Sequence, residues 1–126
     1  MQIDRLEPGD ELDWLVLHHV FDWKRGITSF GEPPFRRGGQ GFPALLPVST
    51  DLASAWGVID HALQVGLSAE IQGHPEDSLQ PWQVRFTDRS GVQVMGRGET
   101  VALAICRAAL LAVEAALLVK SARRMG

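Results

Sequence analysis

The sequence predicts an α+β fold: three helices and three antiparallel strands in the order α-α-β-β-β-α, the sheet burying one face, or both, against helices. Three observations carry that reading. Apolar residues recur at helical spacing over residues 10–24, from Ser49 to Gly66, and again from Thr100 onward. Trp82, Val84 and Phe86 alternate with Gln83, Arg85 and Thr87, the signature of a half-buried strand. Asp88-Arg89-Ser90-Gly91 is turn chemistry, so the residues that follow return as a hairpin. At 126 residues the chain holds one domain, residues 1–126, and two would be cramped.

The first helix places Leu12, Leu15, Val16, His19, Val20 and Trp23 on one stripe, with Trp14, Leu17 and Phe21 on a second. Asp10 suits its N-cap, Glu11 and Asp13 suit the positive end of its dipole, and Lys24 and Arg25 suit the other end before Gly26. Residues 26–48 then lose all periodicity. Glycines and prolines alternate there with Phe30, Phe35 and Phe42, which reads as a long inserted loop.

One of Ser49, Thr50 and Asp51 caps the second helix. Its stripe is Leu52, Ala55, Trp56, Ile59, Ala62 and Leu63, and Gly66 ends it. Residues 67–72 alternate as a first strand, 82–87 form the second and 92–95 the third. Gly96-Arg97-Gly98 is expected to link the sheet to a last helix capped by Thr100 and running to about Lys120. Trp56 and Trp82 are expected in the core.

Composition narrows the function classes. Twelve Lys and Arg against fifteen Asp and Glu give a net charge of −3, which excludes a generally basic nucleic-acid binder. One cysteine excludes an intrachain disulfide framework and a multi-cysteine zinc site. The acidic opening MQIDRLEPGDELDW has no apolar core of a signal peptide, so a cytoplasmic protein with a reduced Cys106 is expected. Residues 101–119 are apolar enough to need a membrane test. Arg107 and Glu114 fall inside that stretch, where charge is costly in lipid, so a buried helix is expected instead.

Four segments together resemble the phage ABA sandwich domain family: ELDWLVLHHVFDWK at 11–24, PVSTDLASAWGVID at 47–60, PWQVRFTD at 81–88 and GRGETVALAICRAALLAVE at 96–114. The likeness lies in a first helix ending at Trp23 and a Ser49-Thr50-Asp51 helix start followed by Ala55 and Trp56. It continues in the Trp82-x-Val84-x-Phe86 strand and the Thr-capped helix from Ala104 to Leu110. The resemblance implies an α/β/α layered fold and a phage or prophage origin. It supplies no catalytic residues, and the segment 26–48 is longer than the family pattern.

The candidate chemistry concentrates in two glycine-rich corners. In Arg36-Arg37-Gly38-Gly39-Gln40-Gly41-Phe42, arginines can pair phosphates, glycines admit close backbone approach and Phe42 can stack a base; a solvated loop explains the same residues. Arg97 and Gly98 stand before a helix N-terminus, as a phosphate cradle or simply a tight connection. Thr50 and Asp51 either join that site or only cap their helix. Trp14, Phe30 and Phe35 are candidate interface residues. His18, His19, His61 and His74 lack metal-ligand spacing, and Cys106 reads as a buried packing thiol.

The expected function is therefore that of a non-enzymatic, phage-encoded small binding protein. It would sequester an anionic nucleotide-type ligand in antagonism of host defence, without cofactor or metal. The alternative is an interaction protein that docks a host or phage protein through its apolar surface. No nucleophile–base pair stands at recognisable spacing for an enzyme. A homo-oligomer, first of all a dimer, is expected under either reading.

Overall fold

The computed structural model describes residues 2–21 and 47–118. A single 3-10 turn, Ile3–Arg5, leads into α1 (Asp10–Phe21). There follow α2 (Leu52–Gln64), β1 (Ser68–Gly73), β2 (Trp82–Thr87), β3 (Gln93–Gly98) and α3 (Val101–Glu114). The order is the α-α-β-β-β-α of the sequence reading. The strands form one antiparallel sheet, β1-β2-β3, with Ile71 opposite Val84 and Val84 opposite Gly96. The end of the first helix beyond Phe21, and all but the last two residues of the 26–48 insertion, lie outside the described residues.

Period-two alternation gives the sheet two unlike faces. Ala69, Ile71, Val84, Phe86, Val94, Gly96 and Gly98 share the face that meets the helices, and Val84 and Phe86 are fully buried there. The opposite face carries Glu70 paired to Arg85 at 2.7 Å and Gln72 bonded to Gln83 at 3.0 Å. Among the described residues the helices pack on the apolar face.

The centre of that packing is α3. Residues 102–110 are buried all round the helix, so it is covered on every side. On the sheet side it rides on glycines. A Cβ added at Gly96 would lie on Ala108 N and 2.8 Å from Ala104 O, and one at Gly98 would meet Leu103 Cγ at 2.9 Å. These two positions are glycine because the helix backbone fills the place of a side chain. They are not a connector. β3 runs to Gly98, and Gly96-Arg97-Gly98 is strand, which corrects the expected boundary at residue 95.

On its other sides α3 meets α1 and α2. Leu12, Val16, Leu17 and Val20 of α1, and Ala55, Val58, Ile59 and Ala62 of α2, are buried in one continuous core with it. The single buried face of α1 gathers Leu17 with Leu12 and Val16, so Leu17 does not belong to a separate stripe.

The caps follow their chemistry with one exception. Asp51 Oδ2 accepts Ser54 N at 3.0 Å, and Thr100 Oγ1 accepts Leu103 N at 3.1 Å. Asp10, expected as a cap, is instead the first helical residue. Gly9 precedes it and its carbonyl accepts Asp13 N at 2.9 Å. The entry is set from outside the helix, because Gly9 N donates to Ser49 Oγ at 2.9 Å. In the hairpin, Asp88 Oδ1 accepts Ser90 N and Val92 N, both at 2.9 Å, and Gly91 turns the chain at φ +94°.

Two further expectations fail for identifiable reasons. The last helix stops at Glu114, not near Lys120. Leu117 N donates to Ala112 O and Ala116 N to Val113 O, a Schellman closure with Ala116 in the left-handed region at φ 63°. The reversal carries Leu118 into the core. Trp56 and Trp82 are not core residues but 46% and 36% exposed. The buried arc of α2 centres on Ala55, Val58 and Ala62, so Trp56 falls on its shoulder. Trp82 lies at the end of its row, its ring 3.4 Å from where a Cβ of Gly73 would be, with its outer part toward solvent.

Candidate functional site

Of the residues expected to hold an anion, the described ones are not joined by a hydrogen bond or an ion pair. Arg36, Arg37, Gly38, Gly39 and Phe42 lie outside the described residues, as do Phe30 and Phe35. Thr50 and Asp51 stand at the start of α2. Asp51 uses Oδ2 to hold both Ser54 N and Ser54 Oγ, so its first role is the cap. Arg97 points to the polar face of the sheet, where it meets Asp77 Oδ2 at 3.3 Å and donates to Gln80 O at 3.1 Å. Gly98 faces the other way, under Leu103. Among the described residues no hydrogen bond or ion pair links Thr50 or Asp51 to Arg97.

The loop that occupies Arg97 is internally ordered. Asp77 Oδ1 accepts Leu79 N at 3.1 Å and Gln80 N at 3.0 Å. The Gln80 N–H bond above all, helped by Leu79, Arg97 and His74, holds its carboxyl below the usual range. The guanidinium of Arg97 therefore already faces a carboxylate and a carbonyl.

Sequence reasoning missed two buried polar clusters. In the first, Asp13 Oδ1 accepts Ser49 N at 2.8 Å and Ser49 Oγ at 2.6 Å, and Cys106 Sγ donates to Val48 O at 3.3 Å. These bonds pin Val48 and Ser49 in the core ahead of α2. Burial pushes the Asp13 carboxyl up against the opposing effect of the Ser49 bonds. Burial, followed by the nearby Asp13 charge, pushes the Cys106 thiol far up, so it remains a thiol. Ser49 and Asp13 form a hydroxyl–carboxylate pair, but they are 1% and 3% exposed. In the second cluster Arg107, buried in α3, donates to Leu6 O at 2.7 Å and to Arg97 O at 2.8 Å. It ties the N-terminal segment and the end of β3 to one helix. Neither cluster has a sequence signature, since each pairs a side chain with distant backbone.

Cavities add little. A cleft of about 260 Å³ is lined by Gln2, Ile3, Asp4, Arg5, Leu111 and Glu114. Another, of about 360 Å³, follows residues 5–12. Neither includes Thr50, Asp51, Arg97 or Gly98. Among the described residues no cluster of His, Cys, Asp or Glu suits a metal ion. Nor is any described helix long and apolar enough to cross a membrane.

The surface is more informative than the cavities. Leu52, Trp56 and Leu63 of α2 are 48%, 46% and 52% exposed. At 100° per residue they fall within about 40° of one another, a single line along the flank of the helix beside its buried arc. Trp14, the other candidate interface residue that is described, is half-buried and stacks on His18 with ring centroids 4.8 Å apart. The sequence stripe of α2, Leu52, Ala55, Trp56, Ile59, Ala62 and Leu63, spans about 120°, the width of one ordinary packed face, so it did not show that the Leu52–Trp56–Leu63 edge is exposed.

These elements define a small α+β domain whose central helix is clamped between an antiparallel sheet and two further helices. The sequence model of the phage ABA sandwich domain matches residues 14–110, and the chain belongs to that family. Among solved structures, the fold is similar to that of a phage protein from Bacillus cereus. The match has a TM-score of 0.61 and 21% identity, covering 90% of this chain and 94% of that one. No curated protein matches the chain.

Proposed function

We propose that this phage-family protein is a non-catalytic interaction domain that engages a protein partner through the outer face of α2. The observation that carries the reading is the line of Leu52, Trp56 and Leu63, each about half exposed. Exposed apolar side chains scattered singly need no explanation, whereas an aligned set around a Trp has the character of a binding surface. Tryptophan is also among the residue types enriched at the hot spots of protein interfaces. The non-catalytic reading draws on the burial of Cys106 and of Ser49, whose hydroxyl pairs with Asp13, and on the Ser54 and Ser90 hydroxyls, which donate at 2.8 Å to Asp51 and Asp88, carboxylates already committed to a helix cap and a turn.

The anionic-ligand reading ranks second, because Arg97 is engaged by Asp77 and Gln80 and is not joined to Thr50 or Asp51. Native mass spectrometry of the protein purified from cells, beside its denatured mass, separates the two. The interaction reading expects a protein-only assembly that Trp56→Glu dissolves. A small anionic mass released on denaturation, with an assembly indifferent to Trp56→Glu, would overturn it.

A further inference from the structure

We infer that the occupant of the α2 outer face is a second copy of the chain, packed with its α2 antiparallel to the first across a two-fold axis. The inference rests on the interaction reading and names its partner. Charge at the two ends of the apolar line, which the exposed Asp60 flanks on its solvent side, carries it. At the N-terminal end stands Asp51, exposed, with Oδ2 committed to Ser54 and Oδ1 without a hydrogen bond among the described residues. At the C-terminal end stands Arg89 from the hairpin. Its guanidinium lies 3.4 Å from where a Cβ of Gly66 would be, immediately after the helix. Arg89 is exposed and has no carboxylate partner among the described residues.

The negative and positive ends are about 22 Å apart, the rise of the fifteen residues from Asp51 to Gly66. Two helices of equal length laid antiparallel bring each Asp51 against the other copy's Arg89, while the Leu52–Trp56–Leu63 lines meet between them. A parallel pair would set Asp51 against Asp51 and Arg89 against Arg89. The helix dipoles favour the same antiparallel choice. A two-fold interface is self-complementary by construction, and one surface with a carboxylate at one end and a guanidinium at the other meets that requirement.

Sedimentation velocity on the full chain, from 1 to 100 µM, with thermal unfolding of each variant as a fold control, tests the inference. The wild type is expected to dimerise, and Trp56→Glu to weaken the dimer by roughly a hundredfold or more. Arg89→Glu sets a carboxylate against the other copy's Asp51 at both ends and is expected to weaken it roughly three- to thirtyfold. Asp51→Asn combined with Arg89→Glu is expected to recover much of that loss, because Asn caps as well as Asp but carries no charge. A dimer insensitive to Trp56→Glu, or one unaffected by Arg89→Glu, overturns the inference. A monomer throughout, whose binding to a host or phage protein is lost in Trp56→Glu, overturns the second copy and leaves the interaction reading in place. A chain whose α2 variants change neither self-association nor partner binding overturns both.

Discussion

Replacing Gly96 by Ala tests the packing on which the fold depends. The new Cβ would lie on Ala108 N, 2.8 Å from Ala104 O and 2.9 Å from Ala108 Cα. Ordinary contact begins near 3.4 Å, and all three neighbours are helix backbone, which has no rotamer to change. The middle of α3 must therefore move off the sheet by roughly half an ångström to an ångström. Overpacking of a tight core costs about 1–3 kcal/mol, and a backbone obstacle belongs at the upper end. Against that stands a gain below about 1 kcal/mol from stiffening the unfolded chain. A net loss of about 2–3 kcal/mol corresponds to roughly 10 °C in Tm for a domain of this size. Gly57→Ala is the control. No atom lies within 4 Å of its Cβ position, so the same methyl should stabilise α2 by about 0.5–1 kcal/mol. Urea and thermal unfolding of both variants give the two signs. If Gly96→Ala were as stable as the wild type, α3 would not be seated on β3 as described.

Three further substitutions probe the buried bonds and the helix end. Arg107→Met should leave Leu6 O and Arg97 O without their donor and cost about 3 kcal/mol in urea unfolding, with the greatest loss of exchange protection near residues 3–8 and 95–98. Asp13→Asn keeps an acceptor for Ser49 while removing a carboxyl whose folded pKa is raised above 3.8. The folded wild type then binds more protons than the unfolded chain as pH rises from 3.8 through that raised value. Wild-type stability should therefore fall relative to Asp13→Asn across this window and stay at a constant deficit above it, as paired unfolding curves at pH 3 and pH 7 would record. Equal differences at both pH values would contradict the burial of that carboxyl. Ala116→Gly, at a left-handed position, should raise stability by about 1 kcal/mol, and a loss on thermal unfolding would argue against the Schellman end.

The elements were legible where local chemistry decides them. The Trp82–Phe86 alternation, the Asp88–Gly91 turn and the Thr100 and Asp51 caps depend on neighbours within four residues, and each stands where the sequence placed it. What failed depends on distant partners. Residues 96–98 read as a connector because two glycines suggest a turn, yet the glycines answer to α3, which passes across them. The end of α3 carries no Gly or Pro, so its stop at Glu114 is set by Leu118 folding back onto the core. The apolar stripe of α2 was visible, but not which of its edges packs. Only the position of α3 decides that Val58 goes in and Trp56 stays out. Of the candidate site, Arg97 was identified as a cation near β3, while its engagement by Asp77 follows from a loop seventeen or more residues earlier in the chain.

An α2 that engages a partner as proposed has its Leu52–Trp56–Leu63 face covered in the functioning protein. Fluorine NMR of the chain labelled with 5-fluorotryptophan tests it directly, with Trp56→Phe assigning the resonance. The Trp56 signal is expected to shift and lose its solvent isotope effect as concentration rises through the association range, while the Trp82 signal does not. A Trp56 resonance that stays solvent-exposed at every concentration, and in the presence of host and phage protein, would contradict it.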